Sequence, residues 1–171
     1  MSRPTSTLVE IVLATLWLGG TILFASVVAP AVFAVLPTRT LAGAVVGRVL
    51  PSIFYSGIVV ALVVIGLELR SNAGWSWRGR ETAAAVMLIA CGIAQFVIGP
   101  RIERLRGEIG GALESLSPTD PRRAAFGRLH GASVAWMGLA MVCSAIVVLM
   151  AARAVRSAAL PRASDVPGVH D

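Results

Sequence analysis

The sequence predicts an all-α fold: a four-helix transmembrane bundle with an amphipathic interfacial segment between helices three and four. Three observations carry that expectation. Of 171 residues, 56% are hydrophobic and 14% charged, against roughly a quarter charged in soluble domains, and mean hydropathy is +0.80. Four apolar runs reach the roughly 20-residue length that spans a bilayer as a helix. Between the third and fourth runs, apolar residues recur at helical steps among arginines.

The first run, about 8–36, follows Arg3 and carries Glu10 near its start. It is too long for the apolar region of a signal peptide, so an uncleaved helix is expected. Pro30 removes a backbone donor and crowds the preceding turn, which predicts a bend. The second run covers about 50–69. The third, about 81–99, opens on Glu81, where the helix dipole favours negative charge. Asp120 followed by Pro121 reads as an N-cap and first helical residue, so the fourth helix, about 121–152, starts two turns above the membrane. These runs place a four-helix transmembrane domain in residues 1–156 and a disordered polar tail in 157–171, which includes His170.

Four crossings put both termini and the loop 70–80 on one side, face A, and the loops 37–47 and 100–128 on the other, face B. Seven arginines sit near face A and eight near face B, so the positive-inside rule assigns no orientation. Trp75 and Trp77 on face A suit an interfacial aromatic belt. On face B, Ile102, Leu105, Ile109, Leu113 and Leu116 recur at three- and four-residue steps. An amphipathic helix in the headgroup layer is expected there, with Arg101, Arg104 and Arg106 toward lipid phosphates. Its Gly107, Gly110 and Gly111 weaken it as a helix.

Composition also narrows function. All 15 basic residues are arginine, and the net charge is +6. The arginines cluster at the ends of apolar runs, and no basic stripe meets a nucleic-acid module. Membrane lipids are therefore the expected partners, and nucleic acid is not. The expected location is a multi-pass position in a membrane, the cell membrane if the source is bacterial. Cys91 and Cys143 lie eight and fourteen residues in from the face-B ends of their runs. At ~1.5 Å per residue that is about 9 Å of difference in depth, beyond the ~7 Å Cα limit of a disulfide.

Five stretches in order carry a resemblance: "LWLGG" (16–20), "VAPAVFAVLP" (28–37), "GRVLPSIFY" (47–55), "GPRIERLRG" (99–107) and "FGRLHGAS" (126–133). Together they resemble the transmembrane protein 205-like family, a domain family of unknown function numbered 4149, across about residues 8–152. The resemblance implies a four-helix integral membrane domain without an established activity. It also implies that Pro100-Arg101 and His130-Gly131 are shared family features. The family pattern often has Asn seven residues after the His, where this chain has Met137.

Three groups of residues are candidate sites. Tyr55, Arg101, Glu103, Arg128 and His130 come from helix ends on face B. Polar groups at membrane depth are paired and often functional, so a lipid, ligand or partner site competes with a self-satisfied helix-end cluster, the plainer reading. Met87 and Cys91 share one face of helix three, and Met137 and Met141 share one of helix four. With His130 they form a ladder of soft ligands suited to Cu(I); ordinary packing by Met and Cys is the plainer reading. Gly57 and Ala61, and Gly127, Gly131 and Ala135, recur every four residues, which permits close helix approach. Gly131 is expected to bring a neighbouring helix near His130.

No catalytic residue and no resident cofactor is predicted. Phosphate loops, H-E-x-x-H and nucleophile elbows are missing from the sequence, and transmembrane haem normally takes two axial His. The leading expectation is a non-enzymatic membrane protein with a face-B site where loops 1–2 and 3–4 meet. The alternatives are a soft-metal binding or transport component, and a membrane enzyme using His130 as acid–base group. A chain this size encloses little lumen, so transport would require a homo-oligomer.

Overall fold

Proline shapes both crossings that run from face A to face B. In the computed structural model, which describes residues 3–70, 77–110 and 113–159, α1 (Arg3–Leu23) passes through a π-helical turn, Phe24–Val28, into α2 (Ala29–Val35). α4 (Trp77–Gly92) passes through a second such turn, Ile93–Ile98, into α5 (Gly99–Ile109). Each wide turn ends two residues before a proline, Pro30 or Pro100. The N–H of Ala29 reaches Phe24 O, and that of Gly99 reaches Ala94 O, five residues back. A proline has no donor for the usual four-residue step. The widened turn absorbs that defect without breaking the helix. The bend expected at Pro30 is therefore a π-helical turn upstream of it.

The remaining helices among the described residues are α3 (Arg39–Leu69) and α6 (Pro121–Ala159), with a 3₁₀ turn at Leu113–Ser115. Among the described residues there is no strand. Four helical spans are long and apolar enough to cross a membrane: Thr5–Val35, Arg39–Leu69, Gly79–Ile109 and Pro121–Ala158. The expected tail overlaps α6 as far as Ala159; residues 160–171 lie outside the described residues, as do Trp75 and the side chain of Trp77.

Two boundaries differ from the sequence reading. The stretch 39–47, expected in a loop, is the first part of α3. Thr38 Oγ1 accepts a 3.2 Å bond from Leu41 N–H and caps the helix, while Gly43, Gly47 and Pro51 sit inside it. The amphipathic segment is not a separate piece either. α5 prolongs the third crossing and stops at Gly110, whose φ of 64° is the left-handed conformation glycine adopts cheaply. The Asp120 cap is present: Oδ1 accepts the N–H of Arg122 at 2.8 Å.

The crossings form an up-and-down ring in which each packs on its sequence neighbours and the fourth returns to the first. The core where they meet is rich in small residues, among them Ala14, Ala61, Ala84, Ala90 and Ala140, with Trp17, Phe54, Val64, Met87 and Val147 between them. Small side chains let backbones approach, which favours association where lipid offers no hydrophobic contrast. Two hydrogen bonds tie the first crossing to its neighbours. Trp17 Nε1 donates to Ile53 O at 2.9 Å, and Ser144 Oγ donates to Ala14 O at 3.1 Å. Outward positions such as Leu16, Leu62, Ile89 and Val142 are more than half exposed, as lipid-facing residues are in a bundle seen without its bilayer.

Near face A three charged side chains are buried together. Arg80 Nη1 lies 3.0 Å from Glu10 Oε2, and Arg80 Nε lies 2.9 Å from Glu68 Oε1. All three residues are at most 5% exposed. The sequence reading set Glu10 and Glu68 apart as helix-end charges. The fold joins them through one guanidinium and so ties the first three crossings together.

Candidate functional site

A cavity of about 600 Å³ lies at the face-B end of the bundle. α3 supplies Thr40, Gly43, Ala44, Gly47, Leu50, Pro51 and Phe54, a repeat of three- and four-residue steps along one helix face. α5 and the turn before it supply Gly99, Ile102, Glu103, Arg106 and Ile109, again one face. α6 supplies Phe126, His130 and Ser133. The π-helical turn of the third crossing adds Ala94 and Gln95.

Arg106 is the organising side chain of this space. Its Nη2 donates to Gly43 O at 2.9 Å, and its Nη1 donates to Glu103 Oε1 at 3.0 Å. Its guanidinium carbon lies 5.6 Å from the centre of the Phe126 ring, within cation–π range. Glycine makes the approach feasible: a Cβ on Gly47 would fall 2.6 Å from Nη1, and one on Gly43 would fall 3.2 Å from Nη2. The Phe126 and His130 rings are stacked, with centroids 6.5 Å apart and planes 4° from parallel.

A second cavity of about 290 Å³ shares Phe33, Val46, Leu50, His130 and Ser133 with the first. Its other walls are Phe24, Ala25, Ala29, Pro30, Val134 and Met137. It runs along the π-helical turn of the first crossing and carries no arginine or carboxylate. The two cavities adjoin across these five shared residues, and the pair, a charged space with an adjoining apolar arm, is the face-B compartment.

Of the five expected face-B residues, the fold brings Glu103 and His130 to this compartment and leaves three outside. Tyr55 is 49% exposed and meets Phe96 edge-on at 5.9 Å. Arg101 and Arg128 are exposed and do not line either cavity. Helical geometry is the reason. Arg101 stands two residues from Glu103, and Arg128 two from His130, which is about 200° around a helix. Arg106, expected beside Arg101 and Arg104 toward lipid phosphates, faces inward instead. Its three-residue step from Glu103 and the glycine steps of α3 were the available signals.

The soft-ligand residues share one region. Met87, Cys91 and Met137 are buried in the same core, and Met141 packs on its edge. Cys91 Sγ sits against Gly57 together with the Trp17 ring, since a Cβ on Gly57 would fall 2.8 Å from Sγ and 2.9 Å from the indole. That thiol is directed at the second crossing. Both cysteines are buried free thiols. Gly57 and Ala61 are buried. Gly127, Gly131 and Ala135 are exposed, and a Cβ on either glycine would meet nothing within 4 Å. The expectation that Gly131 brings a helix to His130 is corrected: no neighbouring helix reaches this stripe, while Phe126, His130 and Ser133 line the cavity.

At the mouth of α6, the side chain of Arg122 first, and then its backbone N–H, hold the Asp120 carboxyl below its ordinary range. Face B as a whole carries Arg39, Arg48, Arg101, Arg104, Arg106, Arg122, Arg123 and Arg128 against Glu103, Glu108, Glu114 and Asp120.

The family model of a domain of unknown function (DUF4149) matches residues 12–110. That stretch includes the α3 and α5 walls of the compartment and Arg106, and ends before Phe126, His130 and Ser133. No curated protein and no solved structure matches the chain.

Proposed function

From the premise that the chain belongs to the DUF4149 family, a domain of unknown function, we propose that it is a non-enzymatic membrane protein that holds a membrane-soluble ligand at face B. The observation that carries this reading is the 600 Å³ cavity of that compartment, apolar over most of its wall, with Arg106, Glu103 and His130 on it. Ligand sites are typically concave, mostly apolar and furnished with a few placed polar groups. Within the family we place the chain beside the transmembrane protein 205-like members, on the five stretches that carry that resemblance. A bacterial source would put it in the cell membrane.

Native mass spectrometry of protein extracted in mild detergent tests the reading. Ala44 lines the cavity and is exposed at its margin, so Ala44→Trp fills space without removing a core contact. Bound lipid-sized mass in the native chain and none in the variant is the expected result. Equal occupancy of both, or none in either, defeats the reading.

A further inference from the structure

Resting on that reading, we infer the class of the ligand: a single-chain lipid with an anionic phosphate headgroup. Three features of the compartment lead there. The charged part holds Arg39 and Arg106, from two different helices, against one carboxylate, Glu103. Arg106 already takes that carboxylate as a partner, so the surplus positive charge at the wall belongs to Arg39. A phosphate group offers more acceptor oxygens and more negative charge than a carboxylate for guanidinium groups that come from two helices.

The apolar arm gives the second feature. It is about 290 Å³, less than half the larger space, and is walled by Phe24, Ala25, Pro30, Val134 and Met137. An apolar space of that volume suits one hydrocarbon chain. Phe24 and Ala25 of the π-helical turn, with Ala29 and Pro30 after it, form one side of this arm. Third, eight arginines stand against four acidic residues on this face. That surplus concentrates anionic headgroups near the mouth within a Debye length of the surface.

The test uses the full chain in nanodiscs of zwitterionic phospholipid and measures displacement of a fluorescent single-chain lipid. The competitors are oleoyl lysophosphatidylglycerol, its octanoyl analogue, oleate and neutral monoolein. Lysophosphatidylglycerol is expected to bind roughly tenfold more tightly than monoolein, and Arg39→Gln to remove most of that preference, as loss of a charge-assisted contact does. Val134→Trp, which plugs the arm from an exposed wall position, is expected to weaken the oleoyl form and spare the octanoyl one. Folding of each variant is checked by its melting profile, and Arg106→Gln repeats the charge test from the other helix.

Equal binding of monoolein, or tighter binding of oleate, overturns the inference about the headgroup and leaves the ligand site standing. Insensitivity of both chain lengths to Val134→Trp overturns the single-chain path. Failure of every lipid to displace the probe overturns both this inference and the reading on which it rests.

Discussion

Arg80 and Glu10 stand 70 residues apart in the chain and meet at 3.0 Å in the interior of the bundle. Glu68 completes the contact at another nitrogen of the same guanidinium, Nε, at 2.9 Å. Arginine suits this place because its planar fork presents separate donors to two carboxyls. Removing one member of a buried charge group leaves the others uncompensated, which costs about 3–5 kcal/mol.

Arg80→Met is therefore expected to lower the melting temperature of the detergent-solubilised protein strongly. Glu10→Gln/Glu68→Gln/Arg80→Met is expected to recover much of that loss, because no buried charge then lacks a partner. A single Arg80→Met variant as stable as the native chain would show that the triad contributes nothing to holding the first three crossings together.

Gly47 tests the architecture of the face-B compartment. Its missing side chain makes room for Arg106 Nη1. Gly47→Val is expected to expel the guanidinium and break its bond to Gly43 O, at a cost of about 1–3 kcal/mol for overpacking a filled site. Gly127→Val, where nothing lies within 4 Å, is expected to cost much less. Thermal unfolding of the two variants side by side checks the contrast.

Asp120 predicts a local pH dependence. Its carboxyl is held below the ordinary value by Arg122, so the ionised form favours the folded cap. That contribution is fully present above the unfolded-state value near 3.8 and is lost as pH falls through the lower folded-state value. The amide of Arg122, bonded to Asp120 Oδ1, is expected to lose hydrogen-exchange protection on that descent. Asp120→Asn retains a capping oxygen and should flatten the pH response. An unchanged response in that variant would assign the titration to another group.

The sulfur residues give the fourth prediction. Met87 is 1% exposed in a tightly packed core. If Met87 and Met141 serve as packing, Met87→Leu/Met141→Leu conserves volume closely and costs less than about 1.5 kcal/mol per site. Metal content and absorption after anaerobic Cu(I) addition provide the check. Stoichiometric Cu(I) held by the native chain and lost in the double variant would make these residues a soft-metal site instead.

Much of the scaffold was legible from the residues alone. Four apolar runs determine four crossings, since only a helix satisfies its own backbone in lipid. Asp120 and Pro121 mark the start of α6 because a capping carboxylate and a donor-free residue both suit a helix N-terminus. Thr38 would have marked α3 in the same way, but Gly43, Gly47 and Pro51 mask the helix that follows it. Which way each helix turns was decided by tertiary structure. In a membrane the lipid-facing side is as apolar as the core side, so periodicity along these runs does not distinguish them. Arg106 thus faces Gly43 while Arg101 and Arg104 face outward, and Gly57 packs inward while Gly131 does not. The same rotational choice brings Glu10, Glu68 and Arg80 together, a pairing that no spacing within one helix encodes.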